Sequence, residues 1–222
     1  ARHALPAISE DRGRLVLGPG GGAFVPARAD GVGYWPTSLV EVEPGRRLAV
    51  FLQRVRETGD GDFVNLGPSI AEVAIDAEGI PQLARVIDIG LDDRSRARIG
   101  WGAASWRSDD GYVYLYGTAN PEQPLVFGWS LHVARVAPDR LFDITAWEYW
   151  TARAWSEDPR DPVALIPADG GVSQTLSVIE QGSRWYAVSK RDDYLGRDIV
   201  IWSASAPMRP FDDPVVVASR RS

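Results

Sequence analysis

One pattern recurs three times in this chain and limits what it can fold into. It is an apolar run, a turn containing glycine, and a second apolar run. The copies are "GYWPTSLVEVEPGRRLAVFLQRV" (Gly33 to Val55), "WGAASWRSDDGYVYLYGT" (Trp101 to Thr118) and "GVSQTLSVIEQGSRWYAVSK" (Gly171 to Lys190). Their turn glycines, Gly45, Gly111 and Gly182, stand 66 and 71 residues apart. Tight hairpin turns require positive φ, which glycine adopts without steric cost. Each copy is followed by a third strand-like run, "SIAEVAID", "SLHVARV" or "DIVIWSAS". A candidate fourth run comes next: "QLARVIDI", "LFDITAWEYW" or "PVVVAS".

A four-stranded antiparallel unit repeated along the chain is the signature of a β-propeller blade. The expected fold is therefore all-β, with one domain over residues 1–222 and repeats at about 33–90, 99–155 and 171–218. Residues 11–19, which contain "GRLVLGP", read as the last strand of a preceding blade. A two-sheet sandwich is the structural alternative, and the threefold repeat argues against it. Propellers close with about four to eight blades. Three and a fraction leave an incomplete arc, either a piece of a longer ring or one completed by another chain. Exposed blade edges would then offer a route to self-association. Along the second repeat, Tyr112, Tyr114 and Tyr116 share one strand face, and Val113 and Leu115 share the other. Both faces of a blade pack on neighbours, so the tyrosine ladder reads as packing between blades.

Several function classes are disfavoured. With 24 basic and 30 acidic residues, the chain carries a net charge of −6 and has no basic run, a poor basis for nucleic-acid binding. No run of 18 apolar residues is present, so no membrane helix is expected. Cysteine is absent, which removes disulfides, thiolate metal sites and a cysteine nucleophile. Two histidines, His3 and His132, give no local metal motif, and neither a metal nor a cofactor is expected. The glycines of "VLGPGGGAF" lack the following helix that a dinucleotide site requires. The "SDDG" turn is one residue short of a sialidase Asp box.

What remains is aromatic and polar. Nine tryptophans and seven tyrosines suit either a β core or a surface that stacks on sugar rings. In a propeller, the mouth is lined by the start of each innermost strand and by adjacent loops. Those starts, "GYWPTS", "IGWGAAS" and "GVSQTLS", carry no acid. They supply Tyr34, Trp35, Trp101 and Gln174, residues suited to binding. Arg54, Glu148, Arg191 and Asp192 are the candidates for the rim. Glycoside hydrolysis needs two carboxyl groups across a cleft, and no such pair can be named, so the catalytic residues stay unassigned.

The runs "YWPTSLVEV…RLAVFLQRV", "WGAASWRSDDGYVYLYGT", "LHVARVAPDRLFDITAWEYW" and "SQTLSVIEQGSRWYAVSKRDD…IVIWSASAP" resemble the bacterial DUF4185 family of five-bladed propellers, which includes endo-D-arabinanases. The resemblance spans Gly33 to Pro207. It implies a secreted or cell-surface bacterial protein, a glycoside hydrolase acting on arabinan-type polysaccharide. Members of that family usually begin with a blade bearing aspartate motifs, and no segment here matches it. The resemblance thus implies that these residues form a central part of a five-bladed ring without its catalytic blade. The alternative is a propeller that binds carbohydrate or protein without catalysis.

Overall fold

The computed structural model describes residues 16–59, 61–160 and 162–219. Its regular structure is β, broken by four short 3-10 turns. Each predicted hairpin forms. Strands β1 (Gly33–Glu43) and β2 (Arg47–Gly59) flank Gly45, at φ 66°. Strands β3 (Asp62–Ile75) and β4 (Pro81–Asp88) complete an antiparallel sheet in the order β1-β2-β3-β4. The second sheet holds β5 (Gly100–Arg107), β6 (Val113–Ala119), β7 (Ser130–Val136), β8 (Glu148–Trp150) and β9 (Trp155–Ser156). The third holds β10 (Leu176–Gln181), β11 (Arg184–Lys190), β12 (Asp198–Ala204) and β13 (Val215–Ser219). Neighbours in sequence are neighbours in each sheet, the meander order of a propeller blade.

The chain divides into two compact units: residues up to 36 together with 41–94, and residues 37–40 together with 95 onward. In the first, Leu52, Ala71 and Val73 form a buried apolar cluster, flanked by Leu48, Val50 and Val86. In the second, β5 lies against β10, the leading strands of two successive sheets. One apolar core joins those sheets, running from Tyr114, Tyr116 and Leu131 to Trp185, Ala187 and Trp202. The tyrosine ladder is part of it. Tyr114 and Tyr116 of β6 are buried, with ring centroids 5.1 Å and 6.2 Å from that of Trp185 on β11. Each such aromatic pair contributes about 0.5–1.5 kcal/mol beyond its buried area. The ladder therefore packs sheet on sheet.

Two predicted elements differ. The run "LFDITAWEYW" is strand only over its last three residues. Before them, 3-10 turns form at Pro138–Arg140 and Ile144–Ala146. The Asp143 carboxylate accepts from the Thr145 backbone N–H and hydroxyl, at 3.2 Å and 2.6 Å. Trp147, fully buried, donates its indole N–H to the Leu141 carbonyl at 2.9 Å. These local bonds compete with a sheet ladder and hold the turn. The strand expected at 11–19 falls partly outside the described residues. Its described part, from Val16, is not strand and leads into a 3-10 turn at Pro19–Gly21.

Candidate functional site

The densest polar cluster of the first unit lies where β1 begins, the central part of β2 ends and β4 ends. Arg54 stands on β2 next to a bulge in the β2–β3 ladder, where Gly67 takes φ 132°. The bulge helps turn carbonyls inward toward Arg54. The side chain is fully buried. Its Nη1 donates to the Pro68 carbonyl at 2.8 Å and to Ser69 Oγ at 3.2 Å. Its Nη2 donates to the carbonyls of Leu66, Gly90 and Leu91 at 3.3, 3.1 and 3.0 Å. Asp92 lies 2.9 Å from Nε, close enough for ion pairing without hydrogen-bond alignment, and Asp88 lies 3.3 Å from Nη1. Arg54 ties β2, β3 and the loop after β4 together, so the chain's own groups occupy the guanidinium.

Arg28 extends the cluster outward. It is bidentate to Asp92, at 3.1 Å and 2.8 Å, and also pairs with Asp30 and Asp88. Arg56 closes the network on Asp30 at 2.8 Å. The Arg28 guanidinium holds the Asp30 carboxyl well below the usual carboxylate range and lowers that of Asp92. Tyr34 sits beside the cluster, its hydroxyl pKa raised by burial and then by the Asp88 charge. The partners in this network lie up to 64 residues apart in sequence, so no local motif announces it.

Trp35, one residue on, faces the opposite way. It is 46% exposed, and its ring centroid lies 4.3 Å from that of Phe63, which is 54% exposed. The two rings are tilted by 60° and form an apolar platform in solvent.

In the second unit the equivalent strand ends carry different chemistry. Trp101 is not at a surface. It is 7% exposed and packs on Tyr149 at 5.2 Å. Gly117 lies beneath it, and a Cβ there would come 2.8 Å from the Trp101 ring. Glu148 accepts from Arg135 Nε at 2.8 Å, and Arg135 is in turn stacked between Tyr112 and Trp155 at 4.3 Å and 4.4 Å. Gln174 is half-buried in the turn before β10. Arg191 pairs with Asp198. Asp192 takes a left-handed φ of 59°, and its N–H donates to the Gly171 carbonyl at 2.9 Å. Arg191, Asp169 and Asp213 line an open depression of about 260 Å³ with Trp202 and Phe211, small beside the ~300–1,000 Å³ of common ligand pockets.

His132 is buried between Ser130 Oγ, at 2.9 Å, and the Pro162 carbonyl, at 3.1 Å. Burial lowers its pKa below the ordinary value. Among the described residues, no group of three or more His, Cys, Asp or Glu is arranged to hold a metal. No helix there is long and apolar enough to cross a membrane. Among the described residues, the carboxyls whose pKa is displaced, Asp30, Asp92, Asp143 and Asp158, are all displaced downward. A general acid at neutral pH needs the reverse. The arrangement is suited to binding and to holding loops, with proton transfer unsupported at these four positions.

A solved structure shares the fold. A candidate hydrolase from Bacteroides ovatus superposes with a TM-score of 0.63 at 21% identity, over 85% of this chain and 46% of that one. The chain thus spans about half the length of that relative. Weaker likenesses link it to the catalytic domain of a GH62 alpha-L-arabinofuranosidase from Coprinopsis cinerea (TM-score 0.40, 11% identity, 88% and 71% covered). They also link it to a GH43_1 enzyme from Xanthomonas citri complexed with xylose (TM-score 0.31, 14% identity, 84% and 78% covered). Among curated proteins none matches. The model of one protein family matches residues 17–220, nearly the whole chain, and by that match the protein belongs to the DUF5005 family, a domain of unknown function.

Proposed function

We propose that this chain is the glycan-binding part of a glycoside-hydrolase-type propeller acting on arabinan-type polysaccharide. The exposed Trp35–Phe63 platform carries the reading. Sugar rings present an apolar face to aromatic side chains, while nearby polar groups select among hydroxyls. The three sheets are read as blades of one five-bladed domain. Trp35 is the stacking residue of the first unit. Gln174, Arg191 and Asp192 are the hydroxyl contacts of the second. Tyr34, Arg54, Trp101 and Glu148 are engaged by the chain's own groups, and their role is to shape the site.

The catalytic carboxyl pair is assigned to other parts of the whole protein. Support comes from Asp30 and Asp92, whose carboxyls Arg28 holds below the usual range, the reverse of what a general acid needs. The same observation favours a second reading, a propeller that binds carbohydrate or a protein partner without catalysis. A reducing-sugar assay on arabinan separates the readings. These 222 residues should release nothing, and the full-length gene product should release oligosaccharide. Hydrolysis by the chain alone would overturn the assignment; none by the full-length protein would leave binding without catalysis. The outer strand β13 exposes Val215, Val216 and Val217, and its edge is the proposed route to self-association. Light scattering that finds only monomer at high concentration would remove that route.

A further inference from the structure

The loop joining β11 to β12 holds two successive non-glycine residues in left-handed backbone, Asp192 at φ 59° and Asp193 at φ 52°. Each such residue costs about 1–2 kcal/mol, and the conformation persists only where its surroundings enforce it. Here they do. The Asp193 carboxylate accepts from the Trp129 indole N–H and from Ser173 Oγ, both at 2.9 Å. Trp129 is itself buried, with the Arg96 guanidinium 4.9 Å from its ring centroid. Ser173 is fixed in turn, its N–H donating to Ser189 Oγ at 2.9 Å. The Arg191 N–H donates to the Asp198 carbonyl at 3.0 Å and closes the loop base. Gly196 is needed for the return, because a Cβ there would lie 1.6 Å from the Arg191 carbonyl oxygen.

At the tip of this loop a 3-10 turn, Asp193–Leu195, puts Tyr194 and Leu195 into solvent at 75% and 50% exposure. The Tyr194 carbonyl accepts from Lys190 Nζ at 2.7 Å. A lone exposed aromatic residue needs no explanation. An aromatic residue on a strained loop, fixed by a buried tryptophan and a serine, is different. Its backbone is held by these bonds without a ligand, which lowers the entropy lost on binding. Arg191 and Asp192 flank the tip with charge. The loop lies at the end of its sheet where β10 begins, the end at which glycan contacts are proposed.

We infer that the Asp192–Gly196 loop is a preorganised saccharide contact, with Tyr194 stacking on a sugar ring. This rests on the glycan-binding reading above. The test is affinity electrophoresis of the 222-residue chain in gels with soluble arabinan or with xylan, using Tyr194→Ala, Tyr194→Phe, Asp193→Ala and Trp35→Ala. The inference expects Tyr194→Ala to weaken retardation about 10-fold in dissociation constant with an unchanged melting temperature. Tyr194→Phe should bind like the unaltered chain, since the ring face is kept. Asp193→Ala should lose both affinity and melting temperature, because the loop is no longer held. If Tyr194→Ala binds normally while Trp35→Ala does not, the inference is overturned and the glycan reading stands. If the unaltered chain is retarded by neither polysaccharide, the glycan reading itself falls.

Discussion

Replacing Arg54 should unfold the first unit more readily than any other single arginine change there. The side chain is fully buried and serves four carbonyls, one hydroxyl and two carboxylates. Hydrogen bonds to a charged group contribute about 1.5–3 kcal/mol each when taken singly, but they do not add. Asp88 and Asp92 keep Arg28 as a partner and remain 37% and 35% exposed, so part of the loss is recovered by water. Of the four carbonyls, those of Gly90 and Leu91 belong to exposed residues, while those of Leu66 and Pro68 are on buried residues and would keep only the backbone N–H groups of Asp93 and Ile89. Removing one partner of a buried ion pair costs about 3–5 kcal/mol, and Arg54→Ala is expected in that range. Arg54→Lys should fall between, because an ammonium keeps the charge but cannot span the carbonyls of Leu66, Gly90 and Leu91 with a planar fork. Arg56→Ala, at a 37% exposed side chain with one ion pair, should cost at most about 1 kcal/mol. Urea unfolding followed by tryptophan fluorescence and by circular dichroism reads all three, with the midpoint compared at constant slope. An Arg54→Ala loss under 1 kcal/mol would refute the view of Arg54 as the organiser of this cluster. It would return that residue to the pool of free ligand contacts.

Other perturbations follow from the same contacts. Asp30 and Asp92 have folded pKa values below their ordinary value of 3.8, so the stability they add is complete above that value and is lost as pH falls through the folded value. Melting temperature should therefore drop as pH falls below about 3.8, and less so in Asp30→Asn; an equal drop in that variant would contradict the pairing. Gly196→Ala should destabilise the chain by more than about 2 kcal/mol, since the added methyl meets backbone that cannot move aside. Urea unfolding indistinguishable from the unaltered chain would contradict that geometry.

Much of the fold is legible because turn chemistry is local. Gly45, Gly111 and Gly182 mark hairpins by a backbone requirement that no partner residue can override, and all three take positive φ. The alternation along β6 likewise places Tyr114 and Tyr116 on the packed face. Local reading failed where a distant partner decides the outcome. Trp101 lies near the start of β5, yet Tyr149 and Gly117 draw it into the core. Arg54 reads as a polar end to an apolar run, and its partners arrive from β3 and the residues after β4. Its one sequence signal is its company: an arginine set in "AVFLQRV", ahead of an acidic "DIGLDD". Tyr194 was invisible for the opposite reason. Its exposure depends on Asp193 reaching Trp129 and Ser173, 64 and 20 residues away.

The proposed sugar-stacking face of Trp35 is tested most directly by a binding titration. Isothermal titration of the chain with soluble arabinan, repeated with Trp35→Ala, measures what that ring contributes. Fully burying a large apolar side chain stabilises by about 1.5–3 kcal/mol; with 46% of Trp35 left exposed for a ligand to cover, the loss is expected at about 3- to 10-fold in dissociation constant. Saturable binding by the unaltered chain is expected, with a loss of that size in the variant, both titrated well below the variant's melting temperature. Equal affinity of the two proteins, or no binding by either, would contradict it.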